Sequence, residues 1–303
     1  MRCRMPCDHS AAGRSTPSRP VRTTPISPRE LEVWALLMLL VAYWTNLVRI
    51  DSNGGSVSLG TIANSVINEG AFDLLAWVVV FENASRLSKG RPACRGEILQ
   101  TLFIGALCLI PTRQTVAVGM LVLALFFHTG HEASVFTRRI FAILSALSFE
   151  IVWTSPYLDF LHVTVGKLDA QIVAAIYRGL GHAASAYGNV VQNSVNNFGI
   201  TLVTQCSSSF ILAGTGVAFL VTAFFRGESL NRYSIIWLCG CLVASVMLTE
   251  LRLTLMARNE ADYDWWHNGP GLSVYSLAAT VSAVCFSIAA TRNRGATKIA
   301  ESN

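Results

Sequence analysis

Eight apolar runs punctuate the chain, at about residues 31–50, 67–87, 98–112, 115–130, 140–156, 207–225, 233–251 and 272–290, with polar or basic segments between them. Most approach the roughly 20 residues that a helix rising 1.5 Å per residue needs to cross a hydrocarbon core of about 30 Å. The third and fourth runs are shorter, each enough for about 22 Å of helix. They predict either two full spans or one re-entrant hairpin, and the side on which every later segment falls is the same either way.

The pattern breaks in two places. Residues 1–29 hold six arginines among prolines and serines and almost nothing apolar, which predicts a disordered basic tail. That tail is too long and polar for a signal-peptide start, and no small-residue cleavage site follows the first run, so the run is expected to be an uncleaved helix beginning near Pro28. Residues 157–205 also leave the pattern. Leu168 to Leu180 is amphipathic and predicts a surface helix, while a Tyr187-Gly188-Asn189 turn and the alternating Ile200-Thr201-Leu202-Val203-Thr204 predict a short β-hairpin.

Composition narrows the class. Hydrophobic residues make up 52% of the 303, charged residues only 14%, and the mean hydropathy is +0.47. A soluble domain would be about a quarter charged, so the chain reads as an all-α polytopic membrane helix bundle of about eight transmembrane helices. The net charge of +5 does not signal nucleic acid, because Lys and Arg cluster between the apolar runs. With the N-terminus in the cytoplasm, the inner segments hold six basic residues in the tail, four from Arg86 to Arg95, then Arg138 and Arg139, Arg226 and Arg232, and Arg292, Arg294 and Lys298. That is 17 of the 23 Lys and Arg, leaving Arg49, Arg113, Lys167, Arg178, Arg252 and Arg258 outside. The positive-inside rule therefore predicts a multi-pass protein of the cytoplasmic membrane with both termini cytoplasmic. The expected plan is a tail at 1–29, N-terminal transmembrane helices at 30–156, an extracytoplasmic amphipathic segment at 157–205, a transmembrane core at 206–291 and a cytoplasmic tail at 292–303.

Few polar residues lie in the runs. Glu69, Asp73 and Glu82 are costly against lipid and are expected to face the bundle interior or its rims, and Glu250 to face the bundle. His128, His131 and Glu132 form H-x-x-H-E, but a zinc-protease H-E-x-x-H fails because position 135 is Val. The eight cysteines are scattered without C-x-x-C spacing, so neither a disulfide framework nor a zinc site is implied. No metal and no cofactor are expected.

The candidate chemistry lies between Cys206 and Gly271. Cys206-Ser207-Ser208-Ser209 opens the sixth run, Arg252 ends the seventh, and His267 sits in the polar segment before the eighth. By the predicted topology all three fall on the outer face. Singly, each has a plain structural reading: a small buried hydrophobe, a snorkelling arginine, and a loop histidine beside Trp265 and Trp266. Together they place a thiol, a guanidinium and an imidazole at one membrane level. A helix start after Cys206 and a nearby cation would each lower the thiol pKa, which is how a thiolate nucleophile is made. Asp262, Tyr263 and Asp264 read as a solvated loop ahead of His267.

This order of motifs resembles the exosortase/archaeosortase family of membrane transpeptidases. An amphipathic outer segment is followed by a Cys-Ser-x-x-Ser-like helix start, an Arg at the outer end of the next helix, and His-x-x-x-Gly opening the last. The resemblance covers roughly residues 157 to 291, and the segments Gln171 to Leu180 and Gly188-Asn189 also look like the family's stretch ahead of its cysteine. It implies that Cys206 is the nucleophile, Arg252 the family's arginine, His267 the third catalytic residue and Gly271 the glycine of the His motif. Ser207 and Ser208 would offer backbone N–H groups to an oxyanion. Two positions depart from the family's pattern. Ser208 stands where a glycine is usual and would crowd the backbone near the nucleophile, and Thr249 stands where an asparagine is common but still offers a hydrogen-bond donor.

The implied partners are exported proteins bearing a C-terminal signal, made of a short motif, a transmembrane helix and a basic tail, together with the lipid bilayer and no nucleic acid. Two other classes compete: a small transporter or channel using Glu69, Asp73, Glu82 and Arg252 as a polar path, and a non-catalytic assembly protein. The runs show no obvious inverted repeat of the kind transporters carry.

Overall fold

A computed structural model describes residues 28–51, 71–87, 95–110, 112–130, 134–155, 158–203, 206–226 and 231–301. The expected disordered tail up to residue 27, Glu69, His131 and Glu132 lie outside them. The N-terminal half contributes α1 (Pro28–Asp51), α2 (Ala71–Ser85), α3 (Arg95–Cys108), α4 (Arg113–Gly130) and α5 (Val135–Trp153). Then come α6 (Asp159–Gly179), the strands β1 (Ala184–Tyr187), β2 (Val190–Asn193) and β3 (Phe198–Thr201), and the helices α7 (Ser208–Phe225), α8 (Arg232–Met256), α9 (Glu260–His267) and α10 (Pro270–Glu301).

The described residues are thus mostly helical. Among the described residues, three helical stretches are long and apolar enough to cross a membrane: Ser208–Phe225, Arg232–Met256 and Pro270–Thr291. Gly96–Cys108 and Arg113–Thr129 are apolar but shorter. Many large apolar side chains point outward, among them Leu99, Leu102, Phe103, Ile236, Val243, Met247 and Leu277. A lipid surface accommodates so many outward-facing large apolar side chains.

Three buried clusters organise the described bundle, of which the smallest joins α7, α8 and α10 around Phe219, Cys241 and Ala283 and the other two bear on the site. One joins α1 through α5 with the middle and end of α7 around Leu36, Trp77, Met120, Leu144 and Val221. The other lies at the end of the bundle where α7 starts and α8 ends, and holds Ala170, Val173, Tyr177, Val191, Ile200, Leu202, Cys206, Leu253 and Met256. It packs α6 and the strands over that end as a small cap.

The cap is built by local rules that the sequence displays. His162, Gly166, Asp169, Ala170, Val173, Ala174 and Tyr177 make the buried stripe of α6 at helical spacing. The helix stops in a Schellman turn: Gly181 takes φ +82°, its N–H donates to Arg178 O, and the His182 N–H donates to Tyr177 O. The hairpin then turns at Gly188-Asn189, with Gly188 at φ +61° and Tyr187 paired with Val190. The sequence suggested one hairpin, whereas the cap is a three-stranded antiparallel sheet in the order β1-β2-β3. Its second turn is held by side-chain to backbone bonds from Asn193 and Asn196 (accepting from Val195 N–H at 3.0 Å and Phe198 N–H at 3.1 Å), a signal easily read as polar loop. The same two asparagines donate to Arg258 O, tying the sheet to the end of α8.

Other expectations shift at their edges. The surface helix begins about nine residues earlier than its amphipathic piece, and α8 runs to Met256, so Arg252 lies inside a helix. The segment around Asp262 to His267 is the short helix α9, capped by Asn259 accepting from the Asp262 N–H at 2.9 Å, and not a loop. The last helix continues to Glu301 through most of the expected C-terminal tail. Asp73 is buried with Tyr43 donating to it, whereas Glu82 is a rim residue in an ion pair with Arg86 at 2.6 Å. Glu250 faces inward as expected.

Candidate active site

Cys206 sits just before α7, whose N-cap is Ser207 with extended backbone and a side chain that accepts from the Ser209 N–H. The Cys206 N–H donates to Val203 O at 2.8 Å, closing a tight turn between the sheet and the helix. The side chain is 7% exposed, packed in the cap core with Leu253 and Met256.

Arg252 is the cation that acts on this thiol. Its guanidinium lies over the Tyr275 ring at 4.8 Å, a cation–π contact, and its Nε donates to Trp266 O at 3.1 Å. Thr249 steadies the arrangement. Its hydroxyl donates to Ser245 O at 2.9 Å, so the Tyr275 hydroxyl donates to Thr249 Oγ1 at 2.8 Å and fixes the ring under the guanidinium. Neither Nη group makes a protein hydrogen bond among the described residues, so Arg252 presents two amino groups, with four free N–H donors, beside Cys206.

The thiol itself differs from expectation. Burial pushes the Cys206 pKa above that of a free thiol, and Arg252 with a backbone contact from Val203 brings it only partway back. The sequence predicted a lowered value because it displays the helix start and the arginine but not the apolar packing of the sulfur. Alkylation of Cys206 should therefore be slow at neutral pH and accelerate as pH rises past the free-thiol value of about 8.5. Arg252→Gln, which removes the charge that lowers the thiol pKa, should displace that profile further upward in a stopped-flow alkylation assay. An unchanged profile would show that the guanidinium does not act on the sulfur.

His267 ends α9 and does not reach either partner by a hydrogen bond among the described residues. Its ring stacks on Tyr263 (centroids 4.8 Å apart, 12° between planes) and its Nδ1 lies 2.9 Å from Asn268 Oδ1. The connection to the other two is indirect: Arg252 bonds the carbonyl of Trp266, the residue before it, and Tyr263 and Trp266 pack against the core that holds Cys206. The structure thus brings Cys206 and Arg252 together and leaves His267 in the adjoining layer.

Gly271 has a clear steric role. A Cβ there would run into the Trp265 ring and come within 2.8 Å of the Trp265 carbonyl oxygen. Gly271→Ala should force α9 away from α10 and destabilise the protein by about 1 to 3 kcal/mol, visible as a lower melting temperature in detergent.

Sequence reasoning missed the residues that hold the start of α7. Asp169 on α6, 1% exposed, accepts from Ser207 Oγ at 3.0 Å and from the Ser208 N–H at 2.9 Å through Oδ2, and from Ser208 Oγ at 2.7 Å through Oδ1. Beside it, His162 Nε2 faces Trp153 O at 2.7 Å; a carbonyl only accepts, so that nitrogen carries a proton. His162 Nδ1 lies 2.7 Å from Ser209 Oγ, which in turn lies 3.0 Å from Ser207 Oγ. Trp153 Nε1 donates to Ser209 O at 2.7 Å and closes the network against α5.

This network bears on two expectations. The Ser208 side chain points to Asp169 and adds a bond that glycine would lack. Its N–H is already given to Asp169 and is not free for an oxyanion. The signal in the sequence was an Asp on the apolar stripe of α6, seven residues after a His on the same stripe.

The described residues thus form a mostly helical protein that includes three membrane-length helices and a buried thiol beside a guanidinium under a small β-cap. Neither the known protein families, nor the curated proteins, nor the solved structures contain a match to it. Among the described residues no group of three or more His, Cys, Asp and Glu side chains could hold a metal.

Proposed function

We propose that this protein is a membrane-embedded cysteine transpeptidase or protease of exosortase type, acting on C-terminal sorting signals of exported proteins. The observation that carries the reading is the pairing of Cys206, at the mouth of α7, with an Arg252 held by Trp266 and Tyr275 so that both Nη amino groups stay free. Buried arginines are normally fully engaged, and one with unspent donors beside a thiol suits a developing negative charge.

In this reading the chain crosses the cytoplasmic membrane eight times with both termini inside, and the cap over α7 and α8 faces outward. The 17 inner basic residues and the outward apolar surface support it. Cys206, as thiolate, attacks the scissile carbonyl of the signal, and its proton passes to a base. The tetrahedral oxyanion is stabilised by the Nη groups of Arg252. Collapse expels the signal peptide's amine, which takes up a proton, and leaves a thioester on Cys206. An amine, hydroxyl or water then releases the product and regenerates the thiol.

His267 is the base and acid of this scheme, and its present stacking sets a condition. The ring must leave Tyr263 to reach Cys206, so substrate binding has to rotate α9. The Asn259 cap and the Arg258–Asp262 contact of 3.5 Å stand at the start of that helix, where such a movement would hinge. His267→Ala should lower processing of a signal-bearing substrate by about 100-fold or more while leaving the alkylation profile of Cys206 unchanged, since the ring does not touch the thiol in the resting state. A variant that processes at the wild-type rate would remove His267 from the mechanism.

A further inference from the structure

Arg252 is a buried charge that its protein partners do not account for. It is 8% exposed and takes part in no ion pair among the described residues, whereas a buried charge is normally matched by a counter-ion. The acids on the packed elements are committed elsewhere or turned away. Asp169 accepts from Ser207 and Ser208 at the start of α7. Glu250 stands two residues before Arg252 on the same helix, and side chains at that spacing do not face each other. Cys206 lies in the cap core with Leu253, the residue after Arg252, and is a thiol whose ionisation burial opposes.

The guanidinium is nonetheless held in one attitude. Its Nε donates to Trp266 O at 3.1 Å, and its carbon lies 4.8 Å from the centre of the Tyr275 ring, which is itself fixed by a hydroxyl contact of 2.8 Å with Thr249. With Nε engaged, the side-on edge of the fork is closed, and the end-on edge made by the two Nη groups is open. Those groups are not among the enclosed polar atoms left without a partner, so they reach accessible surface. Parallel N–H groups on that edge match the two oxygens of a planar carboxylate. The single positive charge, with the Asp169 carboxylate on the helix packed beside α8, suits a monoanion and disfavours a phosphate dianion.

We propose that the Nη edge of Arg252 is a carboxylate-binding site, which seats the C-terminal carboxylate of a peptide end-on beside Cys206. In the transpeptidase reading, on which this choice of ligand rests, that carboxylate is made in place. Hydrolysis adds the oxygen of water to the acyl carbon of the thioester, breaks its C–S bond, returns one proton to the sulfur and releases the other as the new acid ionises. Transfer to an amine or hydroxyl leaves instead a neutral amide or ester with one carbonyl oxygen. The hydrolysed product therefore stays on Arg252 and blocks the next turnover, while the transferred product leaves.

The test uses N-acetylalanine as the mimic of a chain terminus, beside its neutral amide and acetate, on the full-length protein in detergent at about pH 8.5, where a free thiol is half ionised. Alkylation of Cys206 by iodoacetamide is followed by mass spectrometry of its peptide at constant ionic strength. N-acetylalanine should slow it with half-saturation in the millimolar range, by about tenfold at ten times that concentration, and the amide should leave it unchanged. Arg252→Gln should lose the protection, and Arg178→Gln, at an exposed position of α6, should keep it. Equal protection by acid and amide, protection that persists in Arg252→Gln, or none in the wild type would overturn the site. The comparison of acid with amide needs no variant, so it decides even where Arg252→Gln does not fold. Acetate acting at as low a concentration as N-acetylalanine would keep the site and overturn its assignment to a chain terminus. Processing of a signal-bearing reporter separates this proposal from the reading it rests on, and it should fall in N-acetylalanine with the same half-saturation. Protection of Cys206 in a protein that processes no reporter would overturn the transpeptidase reading and leave the carboxylate site standing.

Discussion

Cys206→Ala is expected to reduce processing of a signal-bearing substrate by at least about a thousandfold, with the protein still folded and still in the membrane. In the proposed reaction, loss of the covalent nucleophile removes the bond-forming step itself, and what survives is at most the effect of binding and of the oxyanion donors. The sulfur is small and sits in an apolar pocket, so alanine there removes little packing and the melting temperature should hardly move. Immunoblotting of a reporter with a C-terminal signal, expressed with wild type or variant, reads the processing. Equal membrane levels of the two proteins exclude a folding defect.

Asp169→Ala carries the second large effect, and its signature is different. It removes three hydrogen bonds to one buried carboxylate and leaves the Ser208 N–H without a partner at a helix start. Bonds to charged groups contribute about 1.5 to 3 kcal/mol each and are not additive, so a loss of about 3 to 5 kcal/mol is expected. Asp169→Asn should lose roughly half of that, because an amide oxygen still accepts one N–H. The cap would then sit loosely on α7, Cys206 would be more exposed, and its alkylation should speed up while processing falls. A variant in which alkylation and processing fall together would mean that Asp169 does more than position the helix start.

Much of the fold was legible because its helices are apolar runs separated by polar breaks, and the 3.6-residue stripe of α6 and the Gly188-Asn189 turn obey short-range rules. What escaped was of two kinds. Helix α9 is short and polar, and only the Asn259 cap distinguishes it from a loop. The third strand pairs with β2 across a turn held by asparagine side chains, which also read as loop. The candidate site divided along the same line. Cys206 and Arg252 stood out because a thiol and a guanidinium are unusual at the ends of apolar helices. Asp169, His162 and Tyr275 did not, since each acts through a partner 26 to 47 positions away that spacing alone cannot identify. Burial of the sulfur, which reverses the predicted direction of the thiol pKa, likewise follows only from packing α6, α8 and the sheet around it.

Thr249 and Ser208 show how a departure from a resembled pattern acquires meaning from contacts. Thr249 holds Tyr275 beneath the guanidinium, and Ser208 answers Asp169, so both belong to the support of the thiol and the arginine. Neither substitution removes a group that the proposed chemistry needs.

The proposal turns on whether Cys206 becomes acylated. Wild-type protein incubated with a purified substrate carrying a C-terminal signal should be quenched in acid, digested and examined by mass spectrometry. A hydroxylamine-sensitive acyl adduct is expected on the peptide containing Cys206, ending at the scissile residue. Cleavage with no adduct, or an adduct on another residue, would contradict it.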